Sequence, residues 1–91
     1  MKKSIRLFIT GSVQGIFFKH FIKQHAERLG IKGHLRSLED GRVEIFAEAD
    51  QKEVDAFLAI CKRGPQHAYI RSIEEQEAPF QDFKEFKLIK F

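Results

Sequence analysis

Residues 4–30 read SIRLFITGSVQGIFFKHFIKQHAERLG, and the change of period inside this stretch decides the fold. Its first seven residues alternate. Ile5, Leu7 and Ile9 fall on one face, and Arg6, Phe8 and Thr10 on the other, which is the period of a strand. Gly11 to Gly15 interrupts the alternation. Phe18, Phe21, Ile22, His25, Ala26 and Leu29 then recur at i, i+3, i+4, i+7, i+8 and i+11, one face of a helix. Gly30 stands where a left-handed residue ends a helix.

The same reading extends to the rest of the chain. GHLRSL and GRVEIFAEA are two strands around the turn signal EDG. In the second, Val43, Ile45 and Ala47 face one way and Glu44, Phe46 and Glu48 the other. Val54, Phe57, Leu58 and Cys61 mark a second helical face, opened by Asp50 as its expected N-cap and closed by RGPQ. YIRSIEEQEA predicts a fourth strand and FKEFKLIKF a short final one. The order βαββαβ predicts a ferredoxin-like α+β sandwich: an antiparallel sheet in the order 4-1-3-2 with both helices on one face.

The 91 residues suit one domain spanning 1–91, with 43% hydrophobic residues and ten Phe to fill its core. A net charge of +3 suits an anionic ligand without requiring nucleic acid. One cysteine, Cys61, excludes an internal disulfide and a thiolate metal centre, and makes a reducing, cytoplasmic setting the default. No apolar run is long enough for a signal peptide or a membrane span.

The chemistry concentrates where the first strand meets the first helix. Backbone N–H groups at a helix start have no partner within the helix, and the helix dipole favours an anion there. Gly11 and Gly15 offer the positive φ that an amide nest uses. On spacing alone this is either an anion site or a tight turn that needs glycine for its geometry.

GSVQGIFFK resembles the acylphosphatase signature G-x-V-Q-G-V-x-F-R through Gly11, Val13, Gln14, Gly15 and Phe18, with Ile16 for Val. AERLGIKGHLRSLEDGRVEI continues the likeness through Ala26, Leu29, Gly30, Gly33, Gly41, Val43 and Glu44, and KRGP and DFKEFKL extend it along nearly the whole chain. The resemblance implies the same fold and a cofactor-free hydrolysis of acyl phosphates. It implies a phosphate-binding loop of Ser12, Val13, Gln14, Gly15, Ile16, Phe17 and Phe18. It places a phosphate-binding arginine at Lys19 and a water-positioning asparagine at Ser37, so both catalytic side chains of the family are replaced. Lysine keeps the charge without the bidentate fork. Serine keeps one hydroxyl on a shorter stem.

Weak hydrolysis is therefore expected, alongside a second reading in which the chain binds phosphate without turnover. The expected partners are a small acyl phosphate or inorganic phosphate, with no membrane, no metal and no cofactor, acting on a monomer. RNA binding on the open sheet face is disfavoured, because GRVEIFAEA lacks spaced aromatics and carries Glu44 and Glu48. Phe8 and Phe46 are expected beneath tail residues such as Phe83 or Phe86. Arg36 is expected on the sheet face opposite Ser37 and His20 turned away from Lys19. His25 reads as a hydrogen-bonded boundary histidine. His34 and His67 lack metal-ligand spacing. Residues 74–77, EEQE, read as solvated surface.

Overall fold

The chain builds β1 (Lys2–Gly11), α1 (Ile16–Leu29), β2 (Lys32–Ser37), β3 (Val43–Asp50), α2 (Gln51–Arg63), β4 (Ile70–Glu77) and β5 (Phe86–Ile89). These elements come from a computed structural model that describes residues 1–13, 15–65 and 68–89. Gln14, Gln66, His67, Lys90 and Phe91 lie outside the described residues, so the expectations on Gln14 and His67 are not addressed.

The sheet order is β4-β1-β3-β2-β5. The expected 4-1-3-2 arrangement is present, and β5 adds to the outer edge of β2 as a parallel strand, with Leu35 opposite Leu88. The other described pairings are antiparallel. β1 and β2 run in the same direction on either side of β3, so their C-terminal ends lie at one end of the sheet. That end receives the start of α1.

Alternation sorts the side chains as the sequence implies. Ile5, Leu7, Ile9, Leu35, Val43, Ile45 and Ala47 share a single core with Phe18, Ile22 and Ala26 of α1 and Val54, Phe57 and Cys61 of α2. Both helices therefore cover the same sheet face, as expected for this fold. Gly30 ends α1 at φ 72°, in the left-handed region. Asp50 stands at the N-cap of α2 but makes no side-chain cap bond, contrary to expectation. Its carboxylate faces the Lys2 ammonium at 3.6 Å instead.

The opposite sheet face is not open. Phe46 is 1% exposed, and Phe83 packs on it with ring centroids 5.1 Å apart. His34 completes this aromatic group, 5.6 Å from Phe83. Phe86, the other expected cover, goes instead to the helix side and meets Phe57 at 6.1 Å. Phe8 lies under the Arg42 guanidinium, 5.0 Å from the ring centre.

Two carboxylates that alternation assigns to an outer face are buried there. Glu44 is held by Arg36 at 2.8 Å, with Arg6 at 3.8 Å and His34 at 3.4 Å. Glu48 is 2% exposed and accepts hydrogen bonds from Ser4 Oγ at 3.1 Å and from the backbone N–H groups of Gln81 and Phe83, both at 2.7 Å. A buried carboxylate persists only when its lone pairs are used. Here they tie segment 78–85 across the sheet and lead the chain into β5. Asp82, between the two donors, takes φ 58° to bring both N–H groups to one carboxylate.

Glu48→Ala should therefore cost about 2–3 kcal/mol in urea unfolding, since it orphans two backbone donors and a hydroxyl. The amides of Gln81 and Phe83 should lose hydrogen-exchange protection before the core strands do. A loss below about 0.5 kcal/mol, with those amides still protected, would contradict this role.

Candidate active site at the junction of β1 and α1

The site begins with the way β1 ends. Its register to β4 shifts between Thr10 and Gly11. Gly11 adopts φ 148°, and a β-carbon there would run into the Tyr69 carbonyl oxygen. Only glycine allows this approach. It lets the Ser12 N–H donate to that same oxygen at 2.8 Å, which fastens the start of the loop to the segment before β4. Val13 then turns fully into the core, and Phe18, 3% exposed, re-enters it from α1. The loop is pinned at both ends by apolar side chains.

Gly15 is the N-cap of α1 at φ −70° and ψ 154°. Positive φ is expected at both glycines; only Gly11 has it, and Gly15 is extended. Among the described residues, no atom beyond its chain neighbours comes within 4 Å of where its β-carbon would stand, so that space opens outward. The first intrahelical bond runs from Lys19 N–H to the Gly15 carbonyl at 3.4 Å. The N–H groups of Ile16, Phe17 and Phe18 precede it and have no acceptor within the helix. Among the described residues no side-chain cap bond is made at this terminus, and the first turn holds no acidic residue. Ile16 and Phe17 are exposed, at 59% and 88%. The result is an unneutralised helix start of positive potential, with the half-buried Lys19 in its first turn. Among the described residues no ion pair engages Lys19.

The expected loop residues thus divide by what they can offer. The Ser12 amide is already used by Tyr69. Val13 and Phe18 contribute side chains to the core, which fix where the loop lies. Gly15, Ile16 and Phe17 are exposed residues at the helix start.

Ser37 closes β2. It pairs with Val43, which pairs on its other side with Ile9. Ser37 therefore lies two strands from the end of β1, roughly 10 Å across the sheet. It shares the Leu35 face, the one beneath the helices. Its Oγ is buried and has no hydrogen-bond partner among the described groups. A buried hydroxyl in that condition is a place for water or ligand. Arg36 points to the other face, as expected, where Glu44 holds it.

Other candidate groups are accounted for by their surroundings. Burial pushes the Cys61 thiol up to about 12, which leaves it without nucleophilic character at neutral pH. His25 packs edge-on to Phe21 at 4.6 Å, and its Nδ1 lies 2.9 Å from Arg28 Nη2. Burial, then Arg28 and Arg63, lower its pKa. Among the described residues no group of three His, Cys, Asp or Glu side chains could hold a metal ion. No described helix is long and apolar enough to cross a membrane.

Sequence reasoning did not find the groove beside the loop. It has a volume of about 570 Å³ and runs from Ser12 and Gly15 between α1 and residues Pro65 and Ala68. Phe17, Phe21 and Gln24 form its α1 wall, with His20 beside them. Their spacing of four and three residues forms a second stripe that shares only Phe21 with the core stripe, and that second stripe is the signal that could have revealed the groove.

Comparison with known proteins bears directly on this geometry. The sequence profile named Acylphosphatase matches residues 5–88. An acylphosphatase of Archaeoglobus fulgidus is 35% identical over 85 residues, covering 93% of this chain and 96% of that protein. One from Rubrobacter xylanophilus is 42% identical over 77 residues, covering 85% and 70%. The crystal structure of acylphosphatase from Bacillus subtilis superposes with a TM-score of 0.90 at 27% identity, covering 98% of this chain and 99% of that one. With the profile, full-length relatives and fold in agreement across the strand, loop and helix described above, the chain belongs to the acylphosphatase family, hydrolases of acyl phosphates.

Proposed function

We propose that this chain cleaves the carboxyl–phosphate bond of small acyl phosphates at the start of α1, more slowly than relatives that keep arginine and asparagine at the two replaced positions. The observation that carries the proposal is the N-terminus of α1 without a side-chain cap, at the exposed residues 15–17 and with Lys19 in the same turn. The amide N–H groups of residues 15–18 donate hydrogen bonds to the phosphoryl oxygens, and the helix dipole favours their charge. Gln14 is assigned to the same loop by resemblance. The Lys19 ammonium adds a point charge where an arginine would add a fork.

The Ser37 hydroxyl holds the attacking water, directly or through a second water. The water oxygen attacks phosphorus, the bond from phosphorus to the acyl oxygen breaks, and the carboxylate leaves with that bond's electron pair. A phosphoryl oxygen takes the water's proton, so the products are a carboxylate and dihydrogen phosphate. The route uses charge already fixed in the backbone and draws on no cofactor. One chain supplies loop, Lys19 and Ser37, so a monomer suffices. The lone buried thiol suits the reducing cytoplasm. The two replacements favour a second reading, in which phosphate binds to the same amides without turnover.

Hydrolysis of benzoyl phosphate, with inorganic phosphate as competitive inhibitor, tests the proposal. Lys19→Arg should raise kcat/KM, and Ser37→Asn should act mainly on kcat. Each recovered donor is expected to give up to ~10²–10³-fold, and the double variant should exceed either single one. A double variant that binds phosphate but turns nothing over would favour the binding reading. Turnover of the unmodified chain that survives Lys19→Ala undiminished would place the chemistry elsewhere.

Gly15→Ala tests the loop separately. The backbone is extended there and the position is open, so stability should change by less than about 1 kcal/mol. Inhibition by phosphate should weaken at least tenfold, because the new methyl group stands in front of the amides. Unchanged inhibition would remove Gly15 from the site.

A further inference from the structure

We propose that the groove along α1 is the acyl subsite and that it selects an uncharged, apolar or aromatic acyl group; this rests on the phosphoryl group being seated at the start of α1. The groove is continuous with that seat, since Ser12 and Gly15 line its near end. Its volume of about 570 Å³ falls within the usual range of small-ligand pockets. A ligand held by its phosphoryl oxygens must send its one substituent either into solvent or along this groove.

The walls decide which substituent fits. Among the described lining residues, Phe17, Phe21, Pro65 and Ala68 present hydrocarbon, and Ser12, His20 and Gln24 are polar. None of the described lining residues is a lysine, arginine or carboxylate, so a second phosphate or a carboxylate on the acyl group would lose hydration without meeting a fixed counter-charge among them. The surface around the seat points the same way. Among the described residues six large hydrophobic ones are exposed, and three of them, Ile16, Phe17 and Tyr69, are placed where α1 starts and where Ser12 is fastened. Phe17 is 88% exposed while its N–H belongs to the seat, so a single residue offers a donor to the phosphoryl group and a ring to what is attached to it. Aromatic contact and removal of apolar surface from water then supply binding beyond that of phosphate alone.

The test uses stable phosphonates, so that it does not depend on turnover. Affinities of the unmodified chain for inorganic phosphate, methylphosphonate, phenylphosphonate and phosphonoacetate are measured by calorimetry. Phenylphosphonate should bind at least about tenfold more tightly than methylphosphonate, and phosphonoacetate should gain nothing over it. Phe17→Ala, which removes an exposed ring from the groove wall and keeps the backbone N–H, should bring the phenyl-to-methyl ratio close to one. If phosphate binds but the phenyl group adds nothing, or if phosphonoacetate is preferred, the groove is not an apolar acyl subsite although the seat stands. A ratio unchanged in Phe17→Ala also overturns the assignment to this groove. If phosphate itself does not bind, the seat fails, and the subsite with it.

Discussion

The approach of Gly11 to the Tyr69 carbonyl is the constraint on which the site depends. A side chain at residue 11 would collide with that oxygen, so the sheet could not open the loop where it does. Because the approach is allowed, the Ser12 N–H is taken by Tyr69, and the chain must turn inward at Val13. From there a single residue separates Val13 from the N-cap at Gly15. Val13 and Phe18 bracket the loop with core contacts on both sides, so its backbone is placed by packing rather than by capping side chains. Among the described residues no side chain caps the donors at the start of α1. That is a cost in helix stability and a gain in affinity for an anion.

The second fixed point is β2. It lies between β3 and β5: Ser37 at its end pairs with Val43, and the preceding Arg36 pairs with Ile89. β5 is led to that edge by segment 78–85, which Glu48 anchors across the back of the sheet. A buried carboxylate far from the loop thus contributes to where Ser37 sits. This connects the two sheet faces: one carries the core and the candidate site, and the other carries a layer of charge and aromatic rings that holds the last strand in register. Glu44 plays a related part, since it keeps Arg36 on the back face and away from the phosphoryl seat.

Much of this was legible in the sequence because it follows from periodicity. Alternation in residues 5–10 and 43–48 and the three-four spacing from Phe18 to Leu29 specify which side chains share a face, and the helices and sheet follow from them. The likeness of GSVQGIFFK to a known signature then located the loop. What was not legible depends on long-range partners. Glu44 and Glu48 alternate as outward residues should, and nothing near them in sequence announces the donors at Gln81 and Phe83. Phe83 and Phe86 both qualify as covers for Phe46, and only the parallel pairing of β5 with β2 sends them to opposite faces. Gly15 reads as a turn glycine because glycine permits positive φ, yet its use here is the open space in front of it. Asp50 is placed as an N-cap residue should be, but Lys2 draws its carboxylate away. The groove was missed because it is formed between α1 and Pro65 and Ala68, which are distant along the chain.

The central claim is that the free amides at the start of α1 form the phosphate seat. Its most direct measurement is a titration of the uniformly ¹⁵N-labelled chain with inorganic phosphate, followed by ¹H–¹⁵N correlation spectra. Saturable shifts should centre on residues 15–19 and reach Ser37, while β4 and the segment 78–85 stay unmoved. Shifts absent from residues 15–19, or centred on the basic residues of the back face such as Arg6 and Arg36, would contradict the account.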